Sequence, residues 1–354
     1  MNITYRAYDV PDHIPLNEDR WDEIVARSGV GGIFLQRNWI TAWWHHLAED
    51  ERLCFVTAED ETGVIAFAPL MIDRHGALRF TGDLNSDYLG FAVPIDREDL
   101  IAGFLDFIYK RRKSWKFGHL RNVPADSTLG TTILEASRRC RLHAWRNYSA
   151  SAPYLKIAGN AEAVDAIVNK YSLKRAARQL AAQGKVEFRV FTDIDEARPH
   201  WESFAAQHVS RCRFAGRSSP FSNPDYVKFL RSVFESPSPY AKAHFSAILL
   251  SGIPVAYHYG FVSQNRLVWY KPSFDPAIQK ASPGLVLIRE LLRHARDTGL
   301  EEFDMTIGEE TFKDRFSDGR RIINSYRIHK SRGRAMGEKT YWRIRRGLKA
   351  LLRA

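Results

Sequence analysis

Residues Gly252 to Lys313 read GIPVAYHYGFVSQNRLVWYKPSFDPAIQKASPGLVLIRELLRHARDTGLEEFDMTIGEETFK, and this pattern decides the fold. Val255, Tyr257, Tyr259 and Phe261 alternate along one face of a strand, and after the turn Ser263 to Arg266 the run Leu267 to Tyr270 returns as its hairpin partner. A polar loop, Pro272 to Ala281, comes next. Ser282-Pro283-Gly284 then opens a helix, with Ser as N-cap, Pro at the first helical position, and Leu285, Leu287, Ile288, Leu291 and Leu292 as its apolar face. Gly299 ends it, and Phe303-Asp304-Met305 reads as the next buried strand.

A helix start approached by a short polar loop can hold an anion, because its unpaired N–H groups and the positive end of the macrodipole converge there. Lys280 adds charge, and Gly284 lets a ligand approach the backbone. Ser-Pro-Gly by itself serves equally well as a plain cap.

The order of hairpin, phosphate loop, helix and strand resembles the acyl-CoA half of the GNAT (general N-acetyltransferase) superfamily. Three signatures narrow the likeness: FDPAIQKASPG at Phe274 to Gly284, GLEEFDMTIGEETFK at Gly299 to Lys313, and GDLNSDYLGF at Gly82 to Phe91. Together they resemble the CelD/BcsL family of acetyltransferases, associated with cellulose and other exopolysaccharide biosynthesis. The likeness runs from about Phe34 to Arg320. It implies an α/β (α+β) protein of tandem duplicated GNAT acyltransferase fold, with mixed, mostly antiparallel sheets flanked by helices. It also implies acetyl-CoA or another acyl-CoA as co-substrate, held by Trp269, Tyr270, Gln279, Lys280, Ala281, Ser282, Pro283 and Gly284. Gln279 to Gly284 departs from the superfamily's usual loop by keeping the Gln and only the last Gly.

The first half repeats the second. Phe34 to Trp39 leads into a helix through Leu47 and then strands at Leu53 to Ala58 and Val64 to Ile72. Phe221 to Tyr226 leads into a helix through Phe234 and strands at His244 to Leu250 and Pro254 to Val262, an offset of about 190 residues that reads as an internal duplication. The expected division is 1–155 for a GNAT-like domain without a cofactor loop, 156–330 for the acyl-CoA-binding domain, and 331–354 for a basic tail. In the first copy the helix Asp99 to Arg111 is preceded by Asp96-Arg97-Glu98, a setting too acidic for a diphosphate.

At 354 residues and 45% hydrophobic composition the chain can build two cores. No apolar run approaches a membrane span and the N-terminus carries no secretory pattern, so a cytoplasmic protein is expected. Cys54, Cys140 and Cys212 show neither disulfide nor metal spacing, and no metal is expected. The net charge of +11 is concentrated at the end: ten basic residues from Arg327 onward against the single acid Glu338 leave +9 there and +2 elsewhere. The high pI therefore argues little for nucleic-acid binding by the folded body, and no DNA partner is expected.

Acyl transfer needs a polarised thioester carbonyl, removal of a proton from the attacking amine or hydroxyl, and stabilisation of the leaving thiolate. The resemblance places the carbonyl on backbone N–H groups near Trp269 and Tyr270, opposite Phe303 and Asp304, where two strands splay. No nucleophile motif is present, consistent with direct attack. Candidate bases are Asp304 and Glu309 through water, then His208; Tyr257, Tyr259 or Tyr270 would protonate the sulfur. Asp304 fits equally a strand-end residue paired with Arg293 or Lys271. His208 and Arg211 match a polar pair of the family and would reach the acceptor, and Lys313, at a family motif position, would hold an anionic acceptor or the cofactor; His208 fits equally a satisfied helix-end histidine. Asp87 and Tyr88 would line the acceptor cleft, or be an Asx-turn and a half-buried aromatic. Lys174, Arg175 and Arg178 form a solvated face or a clamp for anions.

Glu338 to Ala354 places Tyr341, Ile344, Leu348, Leu351 and Leu352 at helical spacing among basic residues. That composition suits a helix on an anionic membrane surface, here the inner face, or one packed on its own domain. The leading function is acyl transfer to a sugar, nucleotide-sugar or saccharide precursor of the cell envelope. Two alternatives stay open: a Fem-type transferase using aminoacyl-tRNA for peptidoglycan cross-bridges, and a non-catalytic peripheral-membrane scaffold with the same fold.

Overall fold

The computed structural model describes residues 2–28, 30, 32–308 and 310–351. The chain forms two compact units: Met1–Trp44, Ala48–Ser151 and Arg321–Ala354 make the first, and His45–Leu47 with Ala152–Arg320 the second.

The first unit contains β1 (Thr4–Tyr8), α1 (Glu18–Arg27), α2 (Arg37–Leu47, whose last turn is assigned to the second unit), β2 (Arg52–Asp60), β3 (Gly63–Ile72), β4 (Ala77–Phe80), α3 (Asp99–Lys110), β5 (Phe117–Pro124), α4 (Thr128–Arg139) and the start of β6 (His143–Lys156). Its sheet runs β1-β2-β3-β4-β5 and then β12 (Gly319–His329) from the far end of the chain. β4 and β5 are parallel, in the register Ala77↔Phe117, and α3 connects them. Phe80, Phe91, Phe104, Leu120 and Ile133 are buried in its core.

The second unit contains α5 (Ala161–Val168), α6 (Tyr171–Ala181), β7 (Val186–Phe191), α7 (Ile194–Ala197), α8 (Trp201–Phe214), α9 (Pro224–Glu235), β8 (Ala241–Leu250), β9 (Ile253–Ser263), β10 (Arg266–Phe274), α10 (Pro283–Asp297) and β11 (Glu302–Asp304). Its sheet runs β7-β8-β9-β10-β11, closed by the end of β6. Here β10 and β11 are the parallel pair and α10 connects them. The two units thus repeat one plan of antiparallel strands, a parallel crossover over one helix, and a closing strand: a tandem α/β fold. Leu287, Ile288, Leu291 and Leu292 of α10 are buried against Ile248, Leu267 and Phe303, each such side chain contributing about 1.5–3 kcal/mol.

The boundaries differ from expectation. The units divide at Ser151/Ala152 and Arg320/Arg321, and the residues after 320 belong to the first unit because β12 pairs with β5, as in Tyr326↔Leu120. The tail is α11 (Arg332–Leu351), and it is part of that unit: Glu338 accepts from His329 Nε2 (2.6 Å) and lies 3.5 Å from Arg327, while Ala335 is buried. Leu352 lies outside the described residues, as do the side chains of Leu348 and Leu351. Between α7 and α8 a 3-10 turn spans Arg198–His200, where Pro199 has no N–H to continue an α-helix.

Candidate active site

Strand β10 is irregular where the sequence places the reaction. Val268 pairs with Phe261 and Lys271 with Tyr259, so Trp269 and Tyr270 insert one extra residue against β9, a β-bulge. Gly260 sits opposite it, and a Cβ there would stand 2.1 Å from the Val268 carbonyl oxygen, which only glycine avoids. Strands β10 and β11 pair only from Arg266↔Glu302 to Val268↔Asp304; β11 then ends while β10 continues to Phe274. Thr306, in the left-handed region at φ 56°, donates its hydroxyl to the Trp269 carbonyl (3.1 Å), and its N–H bonds the Asp304 carboxylate (2.8 Å). These bonds fix the place where the strands part.

A cavity of about 280 Å³ leads from this parting to the start of α10. Trp269, Pro272, Ser273 and Phe274 of β10 line it, with Gln279 and Ser282 to Leu285 at the turn, Leu287 and Ile288 of α10, Phe312, and Arg211 from α8. The turn is not the expected N-cap. Pro276–Ala281 is a 3-10 turn, and Ser282 is left-handed (φ 55°, ψ 51°) with no side-chain capping bond. Its carbonyl accepts from Leu285 (2.9 Å), and Pro283 has no N–H, so the first-turn amide left for a ligand is that of Gly284. A larger cavity, about 570 Å³, lies beside α5, β7 and the end of α10, but the charges that line it pair with one another: Arg296 with Asp165 and Asp297, and Arg293 with Glu290.

The expected donor residues thus come together only in part. Trp269, Gln279, Ser282, Pro283 and Gly284 share the cavity, as does Arg211, expected at the acceptor. Lys280 is exposed and Ala281 is packed in the core; neither lines it. Tyr257 and Tyr259 are core residues. Each is fully buried; the Tyr257 hydroxyl meets His200 Nδ1 (2.9 Å), and Tyr259 donates to the Leu230 carbonyl (2.7 Å). Burial pushes the Tyr257 pKa up to about 12 and that of Tyr259 well above its ordinary value, so neither readily ionises. Tyr270 is buried with its hydroxyl 3.3 Å from that of Tyr226 and Lys271 Nζ 4.0 Å over its ring.

His208 is buried, 2.8 Å from Ser219 Oγ and with its ring tilted against Phe221 (4.5 Å). Desolvation, with Lys271 and Arg211 nearby, lowers its pKa to about 3, so the imidazole is neutral. Lys313 is also buried; its ammonium bonds the Ile307 carbonyl (3.1 Å) and Glu310 (3.1 Å) and so braces the loop after β11. Asp304 is buried and accepts from the Thr306 amide (2.8 Å). Glu309 lies outside the described residues.

Asp87 and Tyr88 lie in the first unit, the latter buried against Phe34 (6.0 Å). Their segment is knitted into that unit: Trp39 donates to Ser86 (2.9 Å), Trp43 to Asn85 (2.9 Å), and Asn122 to the Ser86 carbonyl (2.7 Å). The α3 start carries Arg97 paired with Asp99 (2.8 Å). Sequence reasoning missed Ser273, Phe274 and Phe312 as cavity walls, and the one residue that could have marked the bulge is Gly260 inside a strand.

A family model described as an acetyltransferase (GNAT) domain matches residues 169–314, and the protein is an acyltransferase. No curated protein matches it in sequence. Among solved structures it is similar to FemX (TM-score 0.63, 11% identity, covering 89% of this chain and 96% of that one). It is also similar to the C-terminal domain of an Agrobacterium fabrum protein ascribed to the lysylphosphatidylglycerol synthetases (0.55, 13%, 90% and 94%). L-PGS from Bacillus licheniformis gives 0.53 at 13% identity, covering 88% and 97%. These likenesses are of fold.

Proposed function

We propose that the protein transfers an acyl group, acetyl in the first instance, from acyl-CoA to an amino or hydroxyl group of a sugar, nucleotide-sugar or other saccharide precursor of the cell envelope. The observation that carries the reading is the cavity joining the first turn of α10 to the bulge at Trp269 and Tyr270. Its residues fit the donor: the positive end of a helix for a diphosphate, an apolar wall for a thin chain, and at Ser273 a buried hydroxyl with no partner among the described residues. The saccharide class rests on the three signatures that resemble the CelD/BcsL family.

Bound acyl-CoA supplies an activated thioester. Within the proposal, backbone amides at the bulge polarise its carbonyl, Asp304 or Glu309 takes the acceptor's proton through water, and the Tyr270 hydroxyl protonates the departing sulfur. His208, neutral and held by Ser219, is the third candidate base. Donor residues are Trp269, Tyr270, Gln279 and Ser282 to Gly284, with Lys280 as an exposed charge in the same turn. Exposed Met336, Tyr341 and Ile344 on α11, flanked by Arg332, Lys339 and Arg343, would rest on an anionic bilayer at the inner membrane face. Full-length protein should then co-sediment with phosphatidylglycerol vesicles and not with phosphatidylcholine vesicles.

The likeness to FemX over most of both chains favours a second reading, Fem-type transfer from aminoacyl-tRNA. Calorimetric titration with acetyl-CoA and filter retention of aminoacyl-tRNA separate the two. Acetyl-CoA binding without tRNA retention supports the first; tRNA-dependent retention without acetyl-CoA binding replaces it with the second. Mass spectrometry of co-purifying small molecules would identify the acceptor class.

A further inference from the structure

Arg211 and Ser273 lie outside the α10 turn, yet both border its cavity. Arg211, near the end of α8, donates Nη1 to the Pro272 carbonyl (2.7 Å) and lays its guanidinium 5.0 Å over the Phe274 ring. That ring in turn stands 3.3 Å from where a Cβ on Gly284 would be. One fixed cation is thus placed on the aromatic ring that abuts the positive end of α10. Among the described residues Arg211 makes no carboxylate ion pair, and burial lowers its pKa, an effect that nearby Glu310 partly offsets.

Ser273 supplies an independent observation. It is 1% exposed, it lines the cavity, and among the described residues its Oγ has no hydrogen-bond partner. A buried hydroxyl left so costs about 1–3 kcal/mol, which a ligand's polar group would offset.

We propose that Arg211 and Ser273 are the side chains that hold the donor: Arg211 neutralises its diphosphate beside the α10 N-terminus, and the Ser273 hydroxyl bonds the amide-bearing pantetheine arm next to it. This rests on the acyl-CoA reading and moves Arg211 from the acceptor to the donor. Arg211 takes the place of a loop cation, since Lys280 is exposed at the surface and does not line the cavity. A planar guanidinium on an aromatic face is also pre-oriented for two phosphate oxygens.

The test measures dissociation constants of acetyl-CoA and of S-acetyl-pantetheine, which lacks the diphosphate, for the full chain and three variants. Arg211→Gln is expected to weaken acetyl-CoA by about 10- to 100-fold and to leave S-acetyl-pantetheine within about 2-fold, while Arg211→Lys recovers part of the loss. Ser273→Ala is expected to weaken both ligands by about 2- to 10-fold while the melting temperature holds or rises, because an unpaired hydroxyl is removed. Unchanged acetyl-CoA affinity in Arg211→Gln, or equal loss for both ligands, overturns the diphosphate role. Unchanged affinity of both ligands in Ser273→Ala overturns the hydroxyl's role. If the unmodified protein binds neither ligand, the acyl-CoA reading itself fails, and with it this one.

Discussion

Replacing Gly260 by Ala tests whether the bulge is required by the packing of the strand beside it. The added Cβ would meet the Val268 carbonyl oxygen at 2.1 Å and the His258 ring at 2.4 Å. Relief requires moving the β10 backbone by about 1 Å, since the carbonyl belongs to the main chain and no rotamer change removes it; overpacking of this kind costs about 1–3 kcal/mol. For a unit of this size that corresponds to a melting-temperature fall of about 3–10 °C. The same displacement shifts Trp269 and Tyr270, so acetyl-CoA affinity should fall with stability. Gly252→Ala is the control: its Cβ would meet nothing within 4 Å, but φ is +86°. It should cost about 1–2 kcal/mol from backbone conformation alone and leave donor binding intact. Calorimetric melts and acetyl-CoA titrations of both variants decide. A Gly260→Ala protein that melts and binds as the parent does would refute the claim that this glycine makes room for the bulge.

Ser282→Gly should raise the melting temperature, because a left-handed non-glycine residue costs about 1–2 kcal/mol and no capping bond is lost; a fall would show that the hydroxyl caps α10 after all. Lys313→Met should destabilise by about 1.5–3 kcal/mol through loss of its charged bond to the Ile307 carbonyl, with acceptor KM unchanged in initial-rate assays; a raised KM at unchanged stability would return Lys313 to the acceptor. Acid should unfold the protein early. Burial lowers the folded-state pKa of His208 and His244 to about 3, below the unfolded value, so the unfolded chain binds more protons as pH falls through that window. Stability is then fully present above about pH 6.5 and declines below it by up to about 1.4 kcal/mol per pH unit per group. Urea midpoints from pH 7.5 to 4.5 should show this slope, shallower in His244→Asn; a flat profile contradicts it.

The second unit was legible in sequence because its signals are periodic and punctuated. The β9 alternation, the Ser-Pro-Gly start and the α10 stripe each specify one element, and the repeat of the same order specified the duplication. The features that escaped had physical reasons. Strand β4 is four residues long and holds Arg79, paired with buried Asp83 (2.6 Å), so it shows no apolar run. Strand β12 starts Gly-Arg-Arg and is buried only from Ile323 on, so its pairing with β5 across the chain could not be read locally. Alternation also could not tell which face of β9 meets the ligand: the tyrosine face turned inward against α8 and α9, where Tyr257 packs on Phe204 (5.6 Å), and the cavity took its walls from β10. The glycine opposite the bulge was in plain view, but its meaning depends on the partner strand's register.

The most direct measurement is amide hydrogen–deuterium exchange of the full chain with and without acetyl-CoA. The account predicts slower exchange at residues 268–274 and 282–288 on addition of the ligand, the two segments that bound the cavity. Unchanged exchange in both segments at saturating acetyl-CoA, or protection confined to other parts of the chain, would contradict it.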